Sequence, residues 1–337
     1  MRKILKCKQL LLLLVTCILC VFISCSQQPQ PVSVIFDTDM SPDYDDVGAL
    51  AILHALADSG EVKILATVSS NTYANAVPCI EVINTYFKRP DIPLGAPRKG
   101  PNILDQRFGN NYWAEFLPAN YPHTVKSSAD APDAVQVYRR ILSSQPDTSV
   151  NIITVGFLTN IAALLQSPPD KFSDLDGKAL VKKKVRRLIS MAGWFPQGRE
   201  FNVFIDSVAS VIVFNEWPTP ILLSGFEIGR NIITGLRLAS TDVQNSPVKD
   251  AFSMCLKMDI HGRCSWDQTA VLVGVRGTQK YFGTVKGRMT VLSDGSNTWQ
   301  DDPNGPHEHL VWKMPVEQLT ILIEDLMMHQ PLKQKKK

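Results

Sequence analysis

From residue 32 onward, short apolar runs of strand length alternate with segments of helical period, and that alternation restricts what the chain can fold into. Strand-like runs fall at 32–36, 62–68, 92–94, 150–155, 187–191 and 220–223, with helical patterns at 47–56, 76–87, 134–142, 160–165 and 208–214 between them. Strands separated by helices require parallel pairing with crossovers. The prediction is an α/β fold: a single domain with a mostly parallel open sheet flanked by helices. Shorter β-like runs at 281–285, 289–292 and 310–313, followed by a helix over 315–328, predict smaller mixed additions toward the C-terminus. Ligands in such sheets bind beyond the carboxyl ends of the strands. Residues 99–131, rich in Asn, Pro and aromatics and without periodicity, predict a long loop of the kind that covers a site.

The first 31 residues read as an address. MRKILKCK is a positive segment and QLLLLLVTCILCVFIS an apolar one of signal-peptide length. Phe22-Ile23-Ser24-Cys25, followed by polar residues, resembles a bacterial lipobox, with Cys25 as the lipidated residue. The predicted organisation is therefore a lipoprotein signal peptide over 1–25, a tether over 26–31, a domain over 32–330 and a basic tail over 331–337. This places the chain in the cell envelope, exported and lipid-anchored, touching membrane through its lipid alone. The formal charge of +3 resides in the two basic ends. Between them acid exceeds base, which leaves no footprint for nucleic acid. Of seven cysteines only Cys79, Cys255 and Cys264 belong to the body, too few and too scattered for a disulfide framework or a CxxC metal pair.

The first strand runs into FDTDMSPDYDDVGAL, with five carboxylates (Asp37, Asp39, Asp43, Asp45, Asp46) inside ten residues. One or two would suit a helix N-terminus. Five repel one another and cost too much to bury without a cation. Oxygen donors with no interleaved His or Cys suit a hard ion, Ca²⁺ or Mg²⁺. The loop is no EF-hand, since the Gly at its sixth position and the Glu at its twelfth are missing and a strand precedes it.

A strand ending in DxD, then DD and a helix of small residues, resembles the calcium-dependent, inosine-uridine preferring nucleoside hydrolases, with two extra residues between the DxD and the DD. Four further stations follow in order: Val68-Ser69-Ser70-Asn71, Val155-Gly156-Phe157-Leu158-Thr159-Asn160, Glu200-Phe201-Asn202 with Asp206, and Ser265-Trp266-Asp267. The resemblance covers about 32–275. It implies hydrolysis of the N-glycosidic bond of ribonucleosides to free base and ribose. Ca²⁺ would be held by Asp39, Asp46, Asp267 and the backbone carbonyl of Thr159, and Asp39 would take the proton of the calcium-bound water. Asp45, Asn71, Glu200 and Asn202 would hold the sugar hydroxyls. Family members commonly form dimers or tetramers, so the resemblance also implies a homo-oligomer.

The leaving-group end departs from the family pattern. Trp266 stands where the inosine-uridine preferring enzymes place a His that protonates the departing base, and an indole has no titratable proton near neutral pH. Stacking on a purine is the role left to Trp266 toward a ligand, with core packing as its alternative. His261, His307 and His309 are the remaining candidates for a proton donor, with 307–309 expected in a loop. Tyr112, Trp113, Trp194 and Phe195 are candidates for base contacts. Asp37 is expected to secure the loop, while the inserted Asp43 and Tyr44 have no assigned role. Hydrolysis of a different N-riboside or glycoside, and a calcium-containing surface protein that binds nucleosides or sugars without turnover, stay open.

Overall fold

Runs such as VSVIFDT and VKILATVS have no polar face, so they are stable only when covered on both sides. The computed structural model, which describes residues 30–332 apart from 106, 108, 110 and 111, covers them in that way. The strands are β1 (Val32–Thr38), β2 (Val62–Ser69), β3 (Leu94–Gly95), β4 (Val150–Thr154), β5 (Val185–Met191), β6 (Gln197–Gly198), β7 (Ile221–Ser224), β8 (Ile233–Thr234), β9 (Arg263–Cys264), β10 (Phe282–Val291), β11 (Asn297–Asp301) and β12 (His307–Trp312). Ten form one sheet in the order β3-β2-β1-β4-β5-β7-β12-β10-β11-β6. The first seven in that order are parallel, and β10, β11 and β6 extend them antiparallel. A separate ribbon pairs β8 with β9.

The helices are α1 (Asp45–Asp58), α2 (Ala76–Tyr86), α3 (Trp113–Asn120), α4 (Ala134–Ser144), α5 (Thr159–Leu165), α6 (Gly177–Lys184), α7 (Phe201–Ile205), α8 (Ser207–Glu216), α9 (Phe226–Gly229), α10 (Leu236–Ala239), α11 (Pro247–Cys255), α12 (Trp266–Arg276) and α13 (Val316–Met327). They cover both faces of the sheet. Alternate residues of β1 divide between them: Val34 and Phe36 pack with Leu50, Phe252 and Leu272, whereas Ile35 packs with Val137, Leu164 and Val213. α1 is buried from Asp45 to Leu56, as a helix between the sheet and a second helical layer must be. Among the described residues no helix is long and apolar enough to cross a membrane. The leader, including Cys25, and most of the basic tail lie outside the described residues.

Three local expectations give way. The segment 99–131 is not all loop, because Trp113, Ala114 and Leu117 bury one face of the short helix α3. The runs 281–285 and 289–292 are one strand, continuous through Gly287, where a Cβ would meet the Gln300 carbonyl at 2.3 Å. Residues 307–309 are the start of β12, not a loop, and parallel pairing with β7 holds them inside the sheet.

Candidate functional site

Central strand β1 ends at Thr38, and the carboxyl ends of β1, β4 and β5 converge on a cavity of about 500 Å³. Its floor carries Asp39, Asp45, Asp46 and Asp267, all buried. Asp39 follows β1, Asp45 and Asp46 open α1, and Asp267 lies in the first turn of α12, which packs beside α1. Oxygens of Asp45, Asp46 and Asp267 lie within 4.8 Å of one another. One Asp46 oxygen accepts from the Thr38 hydroxyl, and the other, Oδ2, is buried with no hydrogen-bond partner. Burial pushes all four carboxyls above the usual carboxylate range, and the charges around them add to the shift. Arg263 pulls Asp45 part of the way back. An orphaned buried oxygen among like charges is the coordination a hard cation completes, so this donor set fits a metal ion.

Asp39 is also held from behind. The Asn71 amide donates to the Asp39 carbonyl at 3.1 Å, and a Cβ on Gly156 would lie 2.3 Å from the Asp39 nitrogen and 2.6 Å from its Cβ. Only glycine lets the chain after β4 approach this closely. Asn71 does not line the cavity. Its amide donates a second bond to the Ile103 carbonyl at 2.6 Å, and its Oδ1 accepts from the backbone nitrogens of Tyr73 and Ile103, both at 3.1 Å. It ties the wall formed by Ile103 and Leu104 to the β1 loop, with both ends of its amide engaged by backbone. Thr159 does not reach the cavity either, and its hydroxyl donates to Asp206 at 2.5 Å. The residue of that segment in the cavity wall is Val155, four positions earlier.

Glu200 and Asn202 do line the cavity. Glu200 caps α7, accepting from the backbone nitrogens of Asn202 (2.9 Å), Val203 (3.1 Å) and Gly193 (3.3 Å). Burial still raises its carboxyl to about 7. The Asn202 amide donates to the carbonyls of Val155 (3.0 Å) and Met191 (3.3 Å), which leaves Oδ1 as its open acceptor among the described residues.

The opposite wall is aromatic. Trp266 and Phe226 stack with centroids 5.2 Å apart, and the Trp266 indole donates to the Phe226 carbonyl at 2.9 Å, which fixes the ring. Trp194 stacks behind Phe226 and does not reach the cavity. Tyr112 and Trp113 are core residues. Phe195 is sandwiched against His309 and Trp299. None of the six histidines lines the cavity. His307 and His309 belong to β12, where the His307 Nδ1 accepts from the Met289 backbone.

One residue that sequence reasoning missed sits at the centre. Arg263 donates from Nε (3.0 Å) and Nη2 (2.8 Å) to Asp45 Oδ1, and from Nη2 to Asp43 at 2.5 Å. Its guanidinium lies 5.0 Å from the Trp266 ring centre and 5.1 Å from that of Tyr44. The inserted pair thus acquires a role: Asp43 pairs with Arg263, while Tyr44 packs beneath it and donates to Asp259 at 2.9 Å. The signal available in the sequence was the surplus of acid in the inserted loop, which a protein cation partly offsets.

Together these features define an α/β protein with a buried carboxylate site for a hard cation, opening into an aromatic-walled cavity. More particularly, the chain belongs to the inosine-uridine preferring nucleoside hydrolase family, whose model matches residues 34–316. It is 30% identical over 211 residues to a pyrimidine-specific ribonucleoside hydrolase, RihA, of Enterobacter sp. (strain 638), a match that takes in 58% of this chain and 60% of that protein. The chain thus spans about three fifths of that relative's length. The fold is shared with a plant nucleoside hydrolase (TM-score 0.67, 21% identity, 88% of this chain and 99% of the other). It is shared as well with an inosine-uridine preferring nucleoside hydrolase of Bacillus anthracis (TM-score 0.65, 17% identity, 88% and 99%).

Proposed function

We propose that this chain hydrolyses the N-glycosidic bond of ribonucleosides to free base and ribose, with Ca²⁺ as its resident ion. The observation that carries the reading is Asp46 Oδ2, buried and unpartnered inside a carboxylate cluster at the floor of a cavity walled by Phe226 and Trp266. Asp45, Asp46 and Asp267 would hold the ion, with Asp39 beside them. When bound, the ion supplies positive charge that offsets the carboxylates and acidifies water. Asp39, its carboxyl already disfavoured as an anion by burial, takes the proton of the attacking water. Asn202 accepts from a sugar hydroxyl through Oδ1, and Glu200 accepts through the lone pairs its backbone donors leave free. Both side chains are fixed by capping and strand-end contacts before substrate arrives, so no ordering is needed at the moment of reaction.

The test is to incubate the protein with inosine, uridine, adenosine and guanosine, with Ca²⁺ or with chelator, and to assay free ribose. Release that disappears in chelator and in Asp39→Ala is the expected result. Calcium binding without release from any nucleoside would point instead to another glycoside or to a binding protein. The same proposal includes export and lipid anchoring through Cys25, supported by the lipobox-like Phe22-Ile23-Ser24-Cys25 after a basic and an apolar segment. Cys25→Ser should move the protein from the membrane to the soluble fraction. A homo-oligomer, which family likeness supports, would show in sedimentation.

A further inference from the structure

Cleaving a glycosidic bond to a neutral base leaves an electron pair on the base nitrogen, and something must receive it. No histidine lines this cavity, and Trp266 has its only N–H committed to the Phe226 carbonyl. Arg263 is placed differently. Its Nε and Nη2 are spent on Asp45 and Asp43, whereas Nη1 has no hydrogen-bond partner among the described residues. The side chain lines the cavity, with Asp45 of the carboxylate cluster on one side and the Trp266 ring on the other. A riboside with its sugar on the carboxylates and its base along the Phe226–Trp266 wall has its scissile bond at the junction of the two, which is where the guanidinium lies.

We propose that Arg263 is the catalytic residue that receives the leaving base, donating from Nη1 to an acceptor on the base as charge develops there. The inference rests on the nucleoside hydrolase reading. As the bond from C1′ to the base nitrogen breaks, its electron pair goes onto the base, which departs as an anion held by the guanidinium. The hydroxyl of the attacking water ends on C1′, its other proton goes to Asp39, and the base is protonated by solvent after release. An arginine cannot act as a general acid, since it stays protonated in proteins. It lowers the barrier by placing a fixed donor where negative charge appears, an effect worth about 10²–10³ in rate. Asp43 and Asp45 keep the fork oriented, which explains why the inserted loop carries an extra carboxylate beside the metal-binding ones.

The experiment compares two ribosides on the calcium-loaded protein: inosine, whose base needs help to leave, and p-nitrophenyl β-D-ribofuranoside, whose leaving group is a stable anion unaided. In Arg263→Met the kcat/KM for inosine should fall about 100-fold, and the ratio of the nitrophenyl riboside to inosine should rise at least about tenfold. Arg263→Lys keeps the cation without the fork, should show a smaller rise in the same ratio, and serves where the Met variant fails to fold. Equal falls on both substrates in a folded variant would overturn the proposal and leave Arg263 as a residue that only positions Asp45. Release of neither ribose nor nitrophenolate by the unsubstituted protein would overturn the hydrolase reading beneath it.

Discussion

Two of the regions in which the molecule buries titratable side chains treat them in opposite ways. On the parallel half of the sheet, Asp39, Asp45, Asp46 and Asp267 crowd together at the strand ends, each pushed toward the neutral acid, with one oxygen left without a partner. At the junction with the antiparallel extension, His307 and His309 are buried too. There His307 accepts a backbone hydrogen bond from Met289, while His309 lies flat against Phe195 at 4.3 Å. The histidines ask nothing more of their surroundings, and the carboxylates are incomplete without a ligand. Burial alone therefore does not mark a site; unsatisfied valence beside an open cavity does.

The sharpest way to break this contrast is to neutralise Asp46. Asp46→Asn should cost about 10³-fold or more in ribose release. It should also raise the melting temperature measured in chelator by about 2 °C, because it removes a repelling charge while keeping the shape. Calcium itself comes next. At 100 times its dissociation constant it should stabilise the native chain by about 2.7 kcal/mol, visible as a higher melting temperature that chelator reverses and Asp46→Asn erases. Asn71→Ala should then destabilise by about 2 kcal/mol in denaturant unfolding, since it orphans backbone groups of Asp39 and Ile103 at once. Ribose release should fall with it, through the loosened Asp39, although Asn71 touches no ligand.

The last test turns to two buried histidines, His307 in the second region and His54 in α1. Burial holds His307 at about 4 and His54 at about 3, below the usual 6.5, so the unfolded chain binds protons that the native chain refuses. Their contribution to stability is complete above about pH 6.5 and is lost as pH falls toward 4 and 3. The buried carboxyls, held above their usual range, act in the opposite sense over the same window, so the reading is a difference: His307→Gln, which keeps an acceptor for Met289, should gain melting temperature relative to the unsubstituted protein as pH falls from 7 to 4.

The layered α/β architecture was legible because strand-length apolar runs and helical periods are local properties, and β1 stops at the acidic loop as its composition demands. The family resemblance of the motifs grouped Asp39, Glu200, Asn202 and Trp266 at one site, and all four line one cavity. What escaped depended on distance in the sequence. Arg263 answers Asp43 and Asp45 from 220 and 218 positions away, and nothing local announces it. Asn71 and Thr159 fall at the anticipated strand ends, yet a polar residue there can turn toward the backbone as readily as toward a ligand, and only packing decides. The histidines of 307–309 were misjudged because Pro, Gly and Asp before them signal a loop, which ends one residue before the strand begins.

Gly156 sets a limit on how this lineage can drift. The aromatic wall of Phe226 and Trp266 is made of side chains, and exchanging them gives new bases a route into the same fold. Position 156 lies behind Asp39 and is bare backbone against it, so even a methyl group would have to displace Asp39. Selection can thus retune the aromatic wall while position 156, like the carboxylates it backs, stays closed to change, so that specificity is free to evolve around a fixed point.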